Sequence, residues 1–179
     1  MLSVSAFAGV QIDPQNMIPT NLLNEALDRY EEMNLNSTYL GIADMSQSSR
    51  KKRFFLVNLD TGKVERFYVS HGRGSDPENV GYARQFSDQE GSNATSLGFY
   101  LTTSTYQGKH GLSLRLRGLD QTNRSAEQRA VVMHGATYVS EGHTGRSLGC
   151  PAFSEKDAPY IIDRLKNGSL LYVGLSQGN

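Results

Sequence analysis

The chain reads as a mostly β domain with flanking helices, an α+β fold. Three observations predict it. Glycine is frequent, at 18 of 179 residues. Hydrophobic residues make up only 37%, which suits many short elements and long loops better than a helical bundle. Apolar runs of strand length recur along the chain, while helical periodicity is confined to two segments.

The first helix is expected over residues 20–33. Leu22, Leu23, Ala26, Leu27, Tyr30 and Met33 share one face, and Glu25, Asp28, Arg29 and Glu32 lie mostly opposite. Pro19-Thr20 supplies a start signal. Strands follow at 39–43, and at 53–59 and 64–70 on either side of Asp60-Thr61-Gly62-Lys63, a good hairpin turn. Further strands are expected at 97–102, 112–116, 130–133 and 169–175. The second helix is expected over 154–166, with Ser154 and Asp157 placed like a capping box and Gly168 as its stop. Pro159 is awkward inside that helix and confines it to the later residues. No internal repeat and no interdomain linker interrupts the chain, so one compact domain is expected, residues 1–36 forming an N-terminal extension and helix ahead of 37–179.

Formal net charge is zero, which argues against nucleic acid or an anionic membrane as a bulk partner. The basic run Arg50-Lys51-Lys52-Arg53 reads as a solvated turn ahead of apolar Phe54-Phe55-Leu56-Val57. No apolar run approaches the ~20 residues of a membrane span. A single cysteine makes no internal disulfide and leaves the redox compartment open. The N-terminus has no basic leader; Ala6-Phe7-Ala8 fits a small-x-small cleavage site, so a secretory signal was either trimmed or never present. Two long polar segments, 71–95 and 134–149, suggest loops that shape a cleft on the β scaffold.

Cys150 closes the stretch Ser147-Leu148-Gly149-Cys150-Pro151, and His134-Gly135 ends the apolar run Ala130-Val131-Val132-Met133. A free thiol is only a few per cent thiolate at neutral pH, and a neighbouring imidazole changes that by taking the proton. Gly149 lets the backbone bend so that the N–H groups of Leu148, Gly149 and Cys150 can point at a developing oxyanion. Read alone, Cys150 is best taken as a small buried apolar residue and His134 as a satisfied strand-end histidine. Taken with the polar segment between them, the two residues leave both readings open. Zinc held by His71, His134, His143 and Cys150 is a competing use, but their spacing matches no standard zinc pattern. No metal or cofactor is expected. His71-Gly72-Arg73-Gly74-Ser75 is glycine-rich but lacks the lysine and helix of a P-loop.

These residues resemble the L,D-transpeptidases of bacterial peptidoglycan, the YkuD-like fold, whose motif is His-Gly after a strand followed by Ser/Thr-x-Gly-Cys. The branch called murein L,D-transpeptidase catalytic domain is similar over Tyr68-Val69-Ser70-His71-Gly72, Ser96-Leu97-Gly98-Phe99-Tyr100, His134-Gly135-Ala136-Thr137-Tyr138-Val139-Ser140 and Gly145-Arg146-Ser147-Leu148-Gly149-Cys150-Pro151-Ala152. The resemblance implies mixed β-sheets forming a sandwich, with residues 37–179 as the catalytic domain. It implies Cys150 as nucleophile and His134 as base, with Ser147 and Gly149 shaping the turn and the Gly135 carbonyl orienting the imidazole. Arg146, His71, His143 and Tyr138 are its expected substrate-binding residues, weighed against plain loop positions. Leu148 departs from the family, which often has a histidine there, and Pro151-Ala152-Phe153 stands where an Arg or Asn often follows the cysteine.

The implied reaction is attack on the bond before the terminal D-alanine of a peptidoglycan tetrapeptide stem, a thioester, and transfer to an amine of a second stem. Water as acceptor gives an L,D-carboxypeptidase. The rival of another class is an inert peptidoglycan-binding module, and a further one is a secreted effector acting on other cells' walls. The implied partner is the stem peptide and the implied compartment the periplasm or cell envelope. Oligomeric state is not legible.

Overall fold

A computed structural model describes residues 9–177; the Ala6-Phe7-Ala8 tripeptide lies outside them. Helix α1 (Thr20–Glu32) precedes strands β1 (Tyr39–Asp44), β2 (Phe54–Asn58), β3 (Val64–Phe67), β4 (Gly98–Gly108), β5 (Gly111–Gly118), β6 (Val132–Ala136), β7 (Val139–Ser140), β8 (His143–Thr144) and β9 (Ala152–Ser154). Helix α2 (Ala158–Leu165) and strand β10 (Leu170–Gly174) complete the order. The fold is mostly β with two helices, as the sequence predicts.

One mixed sheet of eight strands runs β3-β2-β1-β10-β4-β5-β6-β9, and β7 and β8 form a separate hairpin. Two neighbour pairs are parallel, β1 with β10 and β6 with β9. Every other pairing in the large sheet is antiparallel. The sheet curls until its edges meet. Ser70, just beyond β3, donates its N–H to Ala152 O at 2.9 Å, and Ala152 N–H donates to Ser70 Oγ at 3.1 Å. Phe54 of β2 packs edge-on against Phe153 of β9, ring centroids 4.8 Å apart. A nearly closed sheet hides its edges and encloses an apolar interior.

That interior holds Phe54, Leu56, Leu114, Leu116, Met133 and Phe153, all essentially inaccessible, capped by Ile161, Ile162 and Leu165 of α2. The opposite face of β1, β2 and β10 is covered by Leu22, Ala26 and Tyr30 of α1. β1 and β10 are therefore buried on both faces, which explains their unbroken apolar runs.

Three local features differ from expectation. α2 starts at Ala158 because Pro159 fits only a first turn; Ser154 and Asp157 do bond each other, at 2.7 Å, but in the turn ahead of the helix. β4 and β5 are longer than their apolar stretches and form one hairpin closed at Gly108 and Gly111. The basic run is not uniformly solvated: Lys51 and Lys52 are exposed, whereas Arg53 is wholly buried.

Arg53 donates to Val69 O at 3.0 Å from Nη2, to Gln47 O at 2.8 Å from Nη1, and to His71 Nδ1 at 2.8 Å. It thus ties the start of β2 to the segment that closes the sheet. Arg53→Met leaves two carbonyls and an imidazole nitrogen unpaired in the interior. We expect it to lower unfolding free energy by about 3–5 kcal/mol, read as a reduced urea midpoint at unchanged slope; a loss below about 1 kcal/mol would show that the network does not hold the closure.

Candidate active site

Parallel pairing of β6 with β9 places His134 opposite Ala152. Cys150 therefore sits just before β9, alongside Val132 of β6. Val132 N–H lies 3.5 Å from Cys150 Sγ, and Ala130 O lies 3.8 Å from it. His134 and Cys150 line one cleft of about 500 Å³ together with Tyr106, Lys109, His110, Arg129, Tyr138, Arg146 and Leu148. No hydrogen bond joins the thiol to the imidazole among the described residues; both face the same cavity.

The His134 ring is buried, and its Nδ1 lies 2.8 Å from Gly135 O. A carbonyl only accepts, so Nδ1 carries the proton and Nε2 keeps a free lone pair. Burial pulls the His134 pKa below the ordinary histidine value; the Gly135 carbonyl opposes this, and the charges of His110 and Lys109 reinforce it. Burial also raises the Cys150 pKa, against the Val132 N–H and the cations Arg129 and Lys109. At neutral pH the resting pair is thus thiol and neutral imidazole.

The turn before Cys150 is held from within. Ser147 Oγ donates to Cys150 O at 2.6 Å and accepts from Gly149 N–H at 3.1 Å. Ser70 Oγ also reaches Cys150 O, at 3.4 Å. Of the three N–H groups expected to face an oxyanion, that of Gly149 is therefore engaged by Ser147. Those of Leu148 and Cys150 have no acceptor among the described residues. Gly149 adopts φ +119°, and a Cβ there would stand 2.8 Å from Ala94 O and 3.1 Å from Arg129 Nη2. Only glycine fits.

Beneath this turn lies the 71–95 segment. It is stitched internally: Gly72 N–H donates to Thr95 Oγ1, Gly74 N–H to Asn93 O, and Thr95 N–H to Ser75 Oγ. Arg129 spans its far end, donating to Ala94 O at 2.7 Å and Ser87 O at 3.0 Å.

The four expected substrate-binding residues separate. Tyr138 lines the cleft, and burial together with the Cys150 charge pushes its pKa up to about 12, so it remains a donor. Arg146 lines the cleft too, but its Nη1 is tied to Asp76 O and to Pro77 O at 3.1 Å. His71 is away from the cleft. It is wholly buried between Arg53 and Asp76 Oδ2, the latter at 3.3 Å, and burial with the Arg53 charge holds its pKa down to about 4. His143 lies on β8 and opens onto a different pocket. These placements also keep His71 and His143 from converging with His134 and Cys150 on one metal.

Sequence reasoning missed His110, Lys109, Arg129 and Ser70. His110 stacks on His134, ring centroids 4.3 Å apart at 23°. It sits in the β4–β5 turn, which the hairpin swings over β6; pairing of Ser113 with His134 brings it there. Recognising the hairpin was the signal that could have found it.

A family model for the L,D-transpeptidase catalytic domain matches residues 14–173. The chain belongs to the L,D-transpeptidase catalytic-domain family. No curated protein matches it. Among solved structures, L,D-transpeptidase 3 from Mycobacterium tuberculosis in complex with a faropenem-derived adduct is similar at TM-score 0.50 and 14% identity, over 76% of this chain and 60% of that one. An L,D-transpeptidase from Mycobacterium smegmatis is similar at 0.48 and 17%, over 77% and 59%. One from Xylanimonas cellulosilytica gives 0.44 and 15%, over 82% and 68%. The chain thus spans about three-fifths of the first two relatives, and at these identities the likeness concerns the fold. No helix among the described residues is long and apolar enough to cross a membrane.

Two outcomes test this geometry. His134 is expected to titrate below the ordinary value near 6.5 in a histidine proton NMR titration, and His110→Ala to move it upward by removing a positive neighbour; a downward shift would contradict the stacking arrangement. Gly149→Ala is expected to cost about 1–3 kcal/mol in urea unfolding, because it meets backbone at a left-handed φ.

Proposed function

We propose that this domain is a peptidoglycan L,D-transpeptidase that works through a Cys150 thioester. The observation that carries the reading is the shared cleft of Cys150 and a His134 whose Nε2 is free to accept a proton. In the proposed reaction the thiol proton passes to His134 Nε2, and sulfur attacks the carbonyl that precedes the terminal D-alanine of a tetrapeptide stem. The oxyanion is met by the unengaged N–H groups of Leu148 and Cys150. His134 returns its proton to the departing amine, leaving a thioester. A second stem's amine attacks that thioester, and the thiol is restored.

Cys150 Sγ rests against Val132 N–H and Ala130 O, with no hydrogen bond to His134 among the described residues. Catalytic hydrogen bonds are commonly loose before substrate is bound. A thiol raised by burial beside a neutral imidazole suits proton transfer concerted with attack better than a resting ion pair. A second cavity of about 490 Å³, lined by Gly135, Thr137, Glu155 and Pro159, shares Lys109, His110 and Tyr138 with the main cleft. Two neighbouring compartments would give room for a donor and an acceptor chain. Action on peptidoglycan implies the periplasm or cell envelope as the working compartment.

Incubation with purified tetrapeptide muropeptides, read by mass, tests this. Release of D-alanine with formation of cross-linked dimers is expected, and Cys150→Ala should lower the rate at least about 10³-fold. D-alanine loss without dimers would assign the carboxypeptidase reaction instead. Unchanged muropeptides with folded, reduced protein would sink the enzymatic reading.

A further inference from the structure

Three arginines distant in sequence meet at one pocket beside the cleft. The pocket has a volume of about 280 Å³ and is lined by Arg50, Arg73 and Arg146, with His143, Thr144 and Ser49 between them. No aspartate or glutamate lines it. The charged pairs found among the described residues involve Arg29, His71, Arg129 and Lys166, so none of the three arginines is neutralised by a carboxylate. In a chain of zero net charge this is a local concentration of unpaired cations. Asp76 does not line the pocket; its carboxylate accepts from Val80 N–H at 2.9 Å, Gly81 N–H at 2.8 Å and the buried His71.

The pocket is held in place by backbone. Ser49 N–H donates to Gly81 O at 2.8 Å, which joins the loop after β1 to the 71–95 segment. Arg73 N–H donates to Ser147 O at 2.8 Å, which joins that segment to the turn before Cys150. Arg146 is anchored through Nη1 alone, leaving its other guanidinium edge unengaged. Independently of the charges, Thr144 Oγ1 is a buried oxygen with no hydrogen-bond partner in the protein. Three guanidinium groups without a carboxylate partner around one pocket are an arrangement that an oxyanion completes.

Arg146 lines both this pocket and the cleft that holds Cys150. The pocket therefore adjoins the cleft at Arg146. We propose that the Arg50–Arg73–Arg146 pocket binds a carboxylate of the peptide substrate, one other than the terminal carboxylate next to the scissile bond. This rests on the peptidoglycan reading above and deepens it, because it makes the charge state of the stem, free acid or amide, a determinant of which stems are processed.

The test uses synthetic stem tetrapeptides in which each non-terminal carboxylate is replaced in turn by a carboxamide. For one of these, kcat/KM is expected to fall about tenfold against the free acid, the factor for one charge-assisted contact, with the change in KM rather than kcat. In the double variant R50Q/R73Q that preference should vanish, while the carboxamide peptide is processed as by the unaltered protein; the latter also shows that the variant is folded. Equal handling of every acid and amide, or a preference that survives in the double variant, overturns the proposal and leaves the transpeptidase reading intact. If no peptide is turned over, calorimetric titration of Cys150→Ala protein decides the matter separately. Tighter binding of one acid form, lost in R50Q/R73Q, supports the pocket while the catalytic reading falls; binding without preference, or none, overturns it.

Discussion

The parallel pairing of His134–Ala136 with Ala152–Ser154 is the constraint on which the site depends. Antiparallel strands can be joined by a tight turn, but parallel strands need a long crossover. The chain between His134 and Ala152 is therefore obliged to leave the sheet and return. It returns through the turn that carries Cys150, and the register of the two strands decides which atoms of β6 the sulfur meets. The polar character of that segment follows from its course over the surface, where backbone groups find solvent or one another. Shifting this pairing by one residue would turn His134 to the other face of the sheet and separate it from the cleft.

Closure of the sheet supplies the second support. Ser70 bonds both Ala152 and the carbonyl of Cys150, so the same hydroxyl that seals the sheet edges also fixes the turn that carries Cys150. Arg53 holds the chain on the other side of Ser70 through Val69 O, and His71 passes that connection to Asp76. Burying a guanidinium carries a large desolvation penalty. It is tolerated because Arg53 hydrogen-bonds two backbone carbonyls and an imidazole, and because Asp44 and Asp76 offset part of the charge.

The strand and helix runs were legible because the pattern that betrays them is the one that buries them. Leu22, Ala26 and Tyr30 mark a helix since that face meets the sheet, and Phe54–Val57 mark a strand hidden on both sides. Cys150 and His134 were legible for another reason: glycine and proline flank one, and a strand ends at the other. His71 shows where such reading stops. Its neighbours Gly72 and Gly74 suggested an open loop, yet it is the interior partner of an arginine that looked solvated. Nothing local distinguishes a buried charged residue from an exposed one, because the pairing that permits burial is made by residues far along the chain. His110 was hidden likewise; it reaches the cleft through strand register rather than through sequence proximity.

Leu148 leaves the turn before Cys150 without a side-chain donor or charge at that position. It projects into the cleft rim, 60% exposed, and its side chain offers no hydrogen bond or charge. A sulfur in so buried a place is disfavoured as thiolate unless some cation faces it. Here that charge comes from below and from across the cleft rather than from the turn itself. Arg129, held rigid by Ala94 O and Ser87 O under Gly149, and Lys109, carried by the β4–β5 hairpin, are the cations that lower the thiol pKa against its burial. The hairpin that places Lys109 carries His110 as well, so one structural element favours negative charge on sulfur and disfavours positive charge on His134. The two effects pull the pair in opposite directions: the first eases loss of the thiol proton, the second weakens the imidazole as its acceptor. Under the proposed reaction, a proton shared only while sulfur bonds to the carbonyl would satisfy both.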